Sequence, residues 1–305
     1  IILNTIDDSK DLYDLLCQDL DKSELILLNT HFTPNDRKRK IDYLKLQLSN
    51  KRKVVAISTQ LIEAGVDIDF PVLYRDFATV SSIIQSAGRC NRNGKIQELG
   101  KVNLFRLINR EKLRAELIYG RGKDKDILRF TKDSWRRRFY QEKELLQVQK
   151  TFFDRILNDL HFAKHSQKKF NLEFDFIKDI SDCMYSKIGK FQLIDEQDYG
   201  EEVRYYVPEN EKDKSFEDLL EKEKSLLAVL DRKGKKNYKE ILPLQQKMKK
   251  LLKEMSGQIV QVRIRKNDSK PNCASDRDFH GLFKLSLDSY TLEKGVAIKG
   301  EDNFL

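Results

Sequence analysis

The stretch from Val54 to Arg92, VVAISTQLIEAGVDIDFPVLYRDFATVSSIIQSAGRCNR, restricts this chain more than any other. It opens on Val54-Val55-Ala56-Ile57, a short β-branched apolar run of the kind that forms a buried parallel strand. Ser58-Thr59-Gln60 follow where that strand would end, and ligands of open α/β sheets bind at that carboxyl end. Glu63 to Asp69 reads as a turn with one glycine, Gly65, and the carboxylates of Glu63, Asp67 and Asp69. Phe70 to Tyr74 is a second apolar element, with Pro71 near its start, as a strand tolerates. Ser81 and Ser82 can cap a helix, which would then carry Gln85, Arg89 and Arg92 on one face at i, i+4 and i+7.

The pattern Gln85-x-x-Gly88-Arg89-x-x-Arg92 has a chemical reading. A guanidinium is always charged and forks onto phosphate oxygens. Two of them a helical turn apart, behind a glycine that admits another backbone, suit a triphosphate held by a different domain. That is the arginine-finger arrangement of phosphoryl transfer. The other reading is a basic helix end on a solvated surface, and for the isolated pattern the two stand level. Its coupling to STQxxEAGVDID upstream favours the phosphate.

Taken together, the block resembles motifs V and VI of superfamily 2 helicases, and most closely the helicase–nuclease of type I CRISPR systems. Leu3-Asn4-Thr5 resembles motif IV of that family, and Thr30-His31-Phe32-Thr33-Pro34-Asn35-Asp36-Arg37 its THFTPxDR segment. The motif match covers residues 1 to 108. The resemblance implies a parent protein that moves 3′ to 5′ on single-stranded DNA by hydrolysing ATP and is recruited by an RNA-guided surveillance complex. Arg89 and Arg92 would contact the triphosphate, with Arg92 as the finger and Gln85 orienting the pair. Gly65, Asp67 and Gly88 would line the ATP cleft. Thr5, Thr30, Ser58 and Thr59, with Arg37, would contact DNA phosphates, which position a strand without reading its sequence.

What the sequence lacks matters equally. It holds no Gly-x-x-x-x-Gly-Lys-[Ser/Thr] and no histidine–aspartate nuclease cluster. ATP and Mg2+ would therefore be bound mainly by a first RecA-like domain, itself a partner of this segment together with a nuclease domain. Phe191 to Ile194 followed by Asp195-Glu196-Gln197-Asp198 has the look of a magnesium-binding carboxylate box. It lies downstream of motif VI, whereas the family places that box in the preceding domain, so it reads as an acidic turn. His161 and His165 have a metal-ligand spacing but no glutamate between them, and no metal site is expected.

The 305 residues are 39% hydrophobic and 35% charged, with a net charge of +9, which favours a polyanionic partner over a merely solvated surface. Cys17, Cys90, Cys183 and Cys273 show no CxxC spacing and fit reduced thiols of a cytoplasmic protein. No run reaches the length of a membrane span. The chain starts at Ile1 inside an apolar strand pattern, which reads as a segment of a longer protein.

The expected fold class is α/β, in three parts. Residues 1 to 108 alternate strand and helix and form a RecA-like parallel sheet domain. They include helices over Ser9–Leu20 and Asp36–Leu48. Arg37-Lys38-Arg39-Lys40 places basic charge against the dipole of a helix start, so either a phosphate backbone passes there or four side chains are solvated. Residues 109 to 185 form a helical connector, with an apolar stripe running from Leu145 and Leu146 through Phe152, Phe153, Ile156, Leu157 and Leu160. Trp135 reads as a buried anchor rather than a base-stacking platform. Residues 186 to 305 form a small α/β domain with strands near Val203–Val207, Ile259–Ile264, Gly281–Leu287 and Gly295–Ile298, and a helical hairpin over Ser215–Leu230 and Ile241–Met255, turning at Gly234. Two rival functions remain: half of another superfamily 2 motor, such as an RNA helicase, or a non-enzymatic docking module.

Overall fold

The computed structural model describes residues 1–63, 66–94, 99–109, 112–119, 124–159, 176–188, 201–230, 238–264, 268–275 and 277–298. Gly65, Gly120, Gly122, Gly234, His161, His165 and the whole Phe191–Asp198 stretch lie outside the described residues. In chain order the elements are α1 (Ile6–Leu16), β1 (Leu25–Leu28), α2 (Pro34–Ser49), β2 (Val55–Ser58), β3 (Val72–Asp76), α3 (Val80–Ala87), β4 (Lys101–Phe105), β5 (Ile108–Asn109), β6 (Lys112–Leu113), α4 (Arg114–Tyr119), α5 (Asp124–Ser134) and α6 (Glu142–Asn158). Then come short helices over Phe176–Ser181 and Tyr185–Ile188, β7 (Glu201–Tyr206), a helix over Ser215–Leu230, a helix over Tyr238–Met255, β8 (Ile259–Ile264), β9 (Leu282–Lys284), β10 (Tyr290–Thr291) and β11 (Gly295–Val296). Contacts divide the chain into two compact units: Ile1–Ser9 with Ile57–Glu196, and Lys10–Ala56 with Gln197–Leu305.

The first unit is built on parallel pairing. Ile2 bridges Ser58 on one side and Arg75 on the other, both parallel. Its amide donates to Tyr74 at 2.8 Å and its carbonyl accepts from Asp76 at 2.9 Å. β3 then pairs in parallel with β4, from Val72↔Lys101 to Asp76↔Phe105. Apolar side chains from these strands are buried, Ile2, Ile57 and Leu73 among them. Parallel strands need cover on both faces. Part of it comes from α3, whose Val80 and Ile83 are buried. Val80, Phe130, Val148 and Phe152 form one core cluster that joins α3 to α5 and α6. The expected stripe on α6 is narrower than its sequence indicates. Phe152 is buried, but Leu146 and Leu157 are 75% and 79% exposed. Trp135 sits half-buried with its ring 4.8 Å from Tyr140, as an anchor does.

In the second unit β7 is central, antiparallel to β8 and parallel to β9. Alternation sends Val203 and Tyr205 to one face with Val260, Val262 and Ile264, and Tyr206 to the other. The Tyr206 face is covered by the helical hairpin through Phe216, Leu219, Met248 and Met255. Leu285 and Val296 close the Val203 face. The hairpin helices match expectation, the second starting three residues early at Tyr238. Strands β9 and β11 are shorter than their apolar runs. In α2 the helix also starts early: Thr33 caps it and Pro34 takes the first helical position. Arg37 to Lys40 therefore fall beyond the first turn, which carries Asp36.

Candidate functional site

The loop after β2 and the helix α3 are tied together by Glu63. Its carboxylate accepts from Ser82 Oγ at 2.8 Å and Ser86 Oγ at 2.9 Å, and pairs with Arg75 at 3.1 Å. Both charged side chains are buried. Arg75 also donates to Asn4 Oδ1 at 2.8 Å and to the carbonyl of Asp76 at 3.0 Å. Asn4 in turn donates to Asp76 Oδ2 at 2.7 Å. Burial pushes the Asp76 carboxyl up, against the opposing pull of the Leu107 amide, Arg75 and Asn4. A buried pair with this many hydrogen bonds fixes one arrangement of the strand ends relative to α3. Asn4 and Arg75 lie inside the motif blocks of the sequence, but no role follows for either from spacing. A signal existed: Arg75-Asp76 closes an otherwise apolar strand, and charge at that depth needs partners.

The two arginines are placed differently from expectation. Thr79, not Ser81 or Ser82, caps α3, and its hydroxyl accepts from the Ser82 amide. The helix stops at Ala87, with Gly88 as its C-cap. Gln85 is on the helix and exposed, whereas Arg89 and Arg92 lie beyond it, so the three do not share a helical face. The cause is pairing: Phe70 and Cys90 form a parallel bridge, with the Phe70 amide on Arg89 O and the Asn91 amide on Phe70 O, each at 2.9 Å. Gly88 has φ of −64°, and a Cβ there would meet Gln85 O at an ordinary 3.5 Å.

Arg89 is half-buried and donates to the Glu63 carbonyl at 2.6 Å. Its Nε is buried and has no hydrogen-bond partner among the described residues. Arg92 has a fixed backbone and an open head. Its amide and that of Asn93 donate to the Asp69 carboxylate at 2.7 and 3.1 Å. Its guanidinium reaches Asp67 Oδ1 at 3.0 Å, with the two side chains 44% and 74% exposed. An exposed pair of this kind contributes little and is readily exchanged for a stronger anion. Two guanidinium heads of one loop, one braced and one open, fit a polyphosphate.

Of the residues expected on a phosphate track, Thr30 is exposed and Arg37 is half-buried. Thr5 and Ser58 are buried rather than open. The Thr5 hydroxyl accepts from the Asp8 amide at 3.0 Å and donates to the Asp8 carboxylate, so it serves the start of α1. Ser58 is 1% exposed and Thr59 5%, which leaves neither hydroxyl on the surface. In the second unit Thr33 and Asp36 of the THFTPND stretch face each other, Thr33 Oγ1 donating at 3.0 Å. His31 is buried, and burial beside Lys10 holds its imidazole down to about 3, hence neutral. Among the described residues no helix is long and apolar enough to cross a membrane, and no three His, Cys, Asp or Glu side chains gather as a metal site. All four cysteines are free thiols.

Residues 1–95 match the family profile described as CRISPR-associated nuclease/helicase Cas3, C-terminal. A CRISPR-associated nuclease/helicase Cas3 of Haloferax volcanii is 44% identical over 66 residues, which is 22% of this chain and 7% of that protein. Its counterpart from Methanothermobacter thermautotrophicus is 30% identical over 133 residues, 43% of this chain and 15% of that protein. The crystal structure of T. fusca Cas3 aligns with 93% of this chain and 35% of its own, at a TM-score of 0.51 and 15% identity. A chain of a CRISPR RNA-guided surveillance complex in its pre-nicking state aligns with 97% of this chain and 40% of its own, at a TM-score of 0.54 and 17% identity. At these identities the structures speak for the fold, and the matched segments span well under half of each relative. The α/β fold, the profile over residues 1–95 and the sequence relatives agree that this chain is similar to the C-terminal part of the type I CRISPR helicase–nucleases.

Proposed function

We propose that this chain is the C-terminal part of an ATP-dependent translocase that moves 3′ to 5′ on single-stranded DNA and serves in the degradation of foreign DNA. The observation that carries the reading is the contrast between Arg89 and Arg92. Arg89 is braced on the Glu63 carbonyl, while Arg92 has a pinned backbone and an open guanidinium. That arrangement supplies charge to a triphosphate without rebuilding the loop when it arrives. ATP with Mg2+, bound mainly by a first RecA-like domain, would provide the phosphoryl group. Arg92 acts as the finger on the transferring phosphate, Arg89 steadies the neighbouring oxygens, and Gln85 orients the pair. Asp67 releases Arg92 when phosphate takes its place. Gly65 and Gly88 belong to the same cleft in this reading.

In this reading Thr30 and Arg37 contact DNA phosphates, whereas Thr5, Ser58 and Thr59 are buried and act through the fold of their own unit. The RNA-guided surveillance complex is the recruiting partner, and residues 186 to 305 are its docking and covering domain. The experiment is DNA-stimulated ATP turnover of a protein with both RecA-like domains, carrying Arg92→Ala or Asp67→Asn. The finger reading expects a collapse for Arg92→Ala and activity retained for Asp67→Asn. Greater stimulation by RNA than by single-stranded DNA would instead favour the RNA-helicase reading.

A further inference from the structure

We propose that the hairpin β10–β11 is a clamp that positions the Thr30–Arg37 segment for contact with nucleic-acid phosphates, with Tyr290 as its positioning residue. The proposal rests on the phosphate-track reading of that segment and adds what holds it in shape.

The grip has two ends. At one, Tyr290 Oη donates to Asp36 Oδ2 at 2.6 Å and accepts from the Thr33 amide at 3.1 Å. Thr33 is itself the cap of α2, accepting from the Asp36 amide at 3.2 Å. One hydroxyl thus holds both the cap residue and the first-turn carboxylate. At the other end, the Val296 amide donates to the His31 carbonyl at 2.9 Å. Lys10 Nζ donates to the Val296 carbonyl at 2.7 Å and lies 3.2 Å from His31 Nδ1. Gly295, with φ of 73°, lies so close that an added Cβ would sit 2.5 Å from His31 O. A side chain there would force the strand off the segment.

These contacts occupy the Thr33 hydroxyl, the Asp36 carboxylate and the His31 ring. The Thr33 hydroxyl and His31 Nδ1 are thus taken, and the Asp36 carboxylate, an anion, repels phosphate in any case. What remains at the ends of the gripped stretch is Thr30, exposed, and Arg37, half-buried, followed by exposed Lys38 and Arg39. A segment held at residues 31, 33 and 36 loses little conformational freedom when those outer groups bind, and affinity gains by that saving. The THFTPND stretch therefore divides into a gripped middle and binding ends.

The test uses the 305-residue chain with a fluorescein-labelled oligothymidylate and amide hydrogen exchange. Tyr290→Phe keeps the ring and removes the hydroxyl. The clamp predicts faster exchange at the Thr33 amide, on the order of 10-fold. It also predicts unchanged exchange at Val260 and Val262 and a several-fold rise in Kd. A merely structural Tyr290 would move the Val260 and Val262 amides as well. Arg37→Gln separates the clamp from the reading beneath it. Weakened binding in Arg37→Gln with an unchanged Kd in Tyr290→Phe overturns the clamp alone. An unchanged Kd in both overturns the phosphate-track reading and the clamp with it. Should Tyr290→Phe precipitate, Lys10→Gln loosens the other end, with the same expected rise in Kd and the same contradicting result.

Discussion

Arg75 and Glu63 meet at 3.1 Å inside the first unit, with side chains 0% and 5% exposed. The pair belongs to one network with Ser82, Ser86, Asn4 and Asp76. Its consequence is positional. Glu63 gives its carboxylate to α3 and its carbonyl to Arg89, so one residue sets both the helix and the first arginine beyond it.

Removing one partner of that pair should therefore be severe. Arg75→Met leaves the Glu63 carboxylate buried without its counter-charge, at a cost of about 3–5 kcal/mol. Glu63→Gln should be comparably severe: the amide still accepts from the two serines, but the buried Arg75 guanidinium stays charged and loses its counter-charge. The double variant should be more stable than the sum of the two losses, by about 1–3 kcal/mol. Denaturant titration of all three proteins measures this. Strict additivity would mean that the two side chains do not interact.

His31 gives a pH dependence with a definite sign. Burial first, and then Lys10, hold its folded pKa down at about 3, against an ordinary value of 6.5. The unfolded chain binds a proton between those values and the folded chain does not. Stability is thus complete above pH 6.5 and declines as pH falls toward 3. The slope is about 1.4 kcal/mol per pH unit, so about 2 kcal/mol is lost by pH 5. Unfolding free energies at pH 7, 6 and 5 check it. A His31→Gln protein with the same slope as the unaltered chain would assign the effect elsewhere.

Gly295→Ala tests the close approach of β11 to His31. It sets a side chain at a φ of 73° and a Cβ 2.5 Å from a backbone oxygen. A melting temperature several degrees lower is expected, from a strain of about 1–3 kcal/mol. Gly281, with φ of 77° and open space around its Cβ position, serves as the comparison. Gly281→Ala carries only the conformational part of the cost, so equal effects would show that contact with His31 is unimportant.

The sequence made the elements legible where an apolar period carries the signal. The helix over Ser215–Leu230, β8 and the parallel character of the pairing around Ile2 follow directly from it, though the order of the strands does not. Ends were less legible, because caps rather than periods decide them. Thr33 with Pro34, and Thr79, moved α2 and α3 toward the N-terminus of the spans read from spacing. The arginines were identified by type and spacing, but spacing assumed a helix that Gly88 and the Phe70–Cys90 bridge end early. Partners far apart in sequence were not legible at all. Tyr290 and Asp36 are separated by 254 positions, and no local pattern marks either as the other's neighbour.

A fourth prediction concerns the isolated chain. It should show no ATP turnover above background, because the proposal leaves the phosphate cradle and the magnesium ligands to another domain. Its binding to oligothymidylate should be weak, without base preference, and should fall steeply with salt as counterions are released. Turnover by the pure 305-residue chain that disappears in Arg92→Ala would contradict the half-site account.

The most direct measurement is DNA-stimulated ATP hydrolysis by a protein with both RecA-like domains, unaltered and with Arg92→Ala. The account predicts a fall in turnover on the order of 10³-fold, with single-stranded DNA affinity changed far less. Turnover within a few-fold of the unaltered protein would contradict it, and Arg92 would then be a surface residue paired with Asp67 and nothing more.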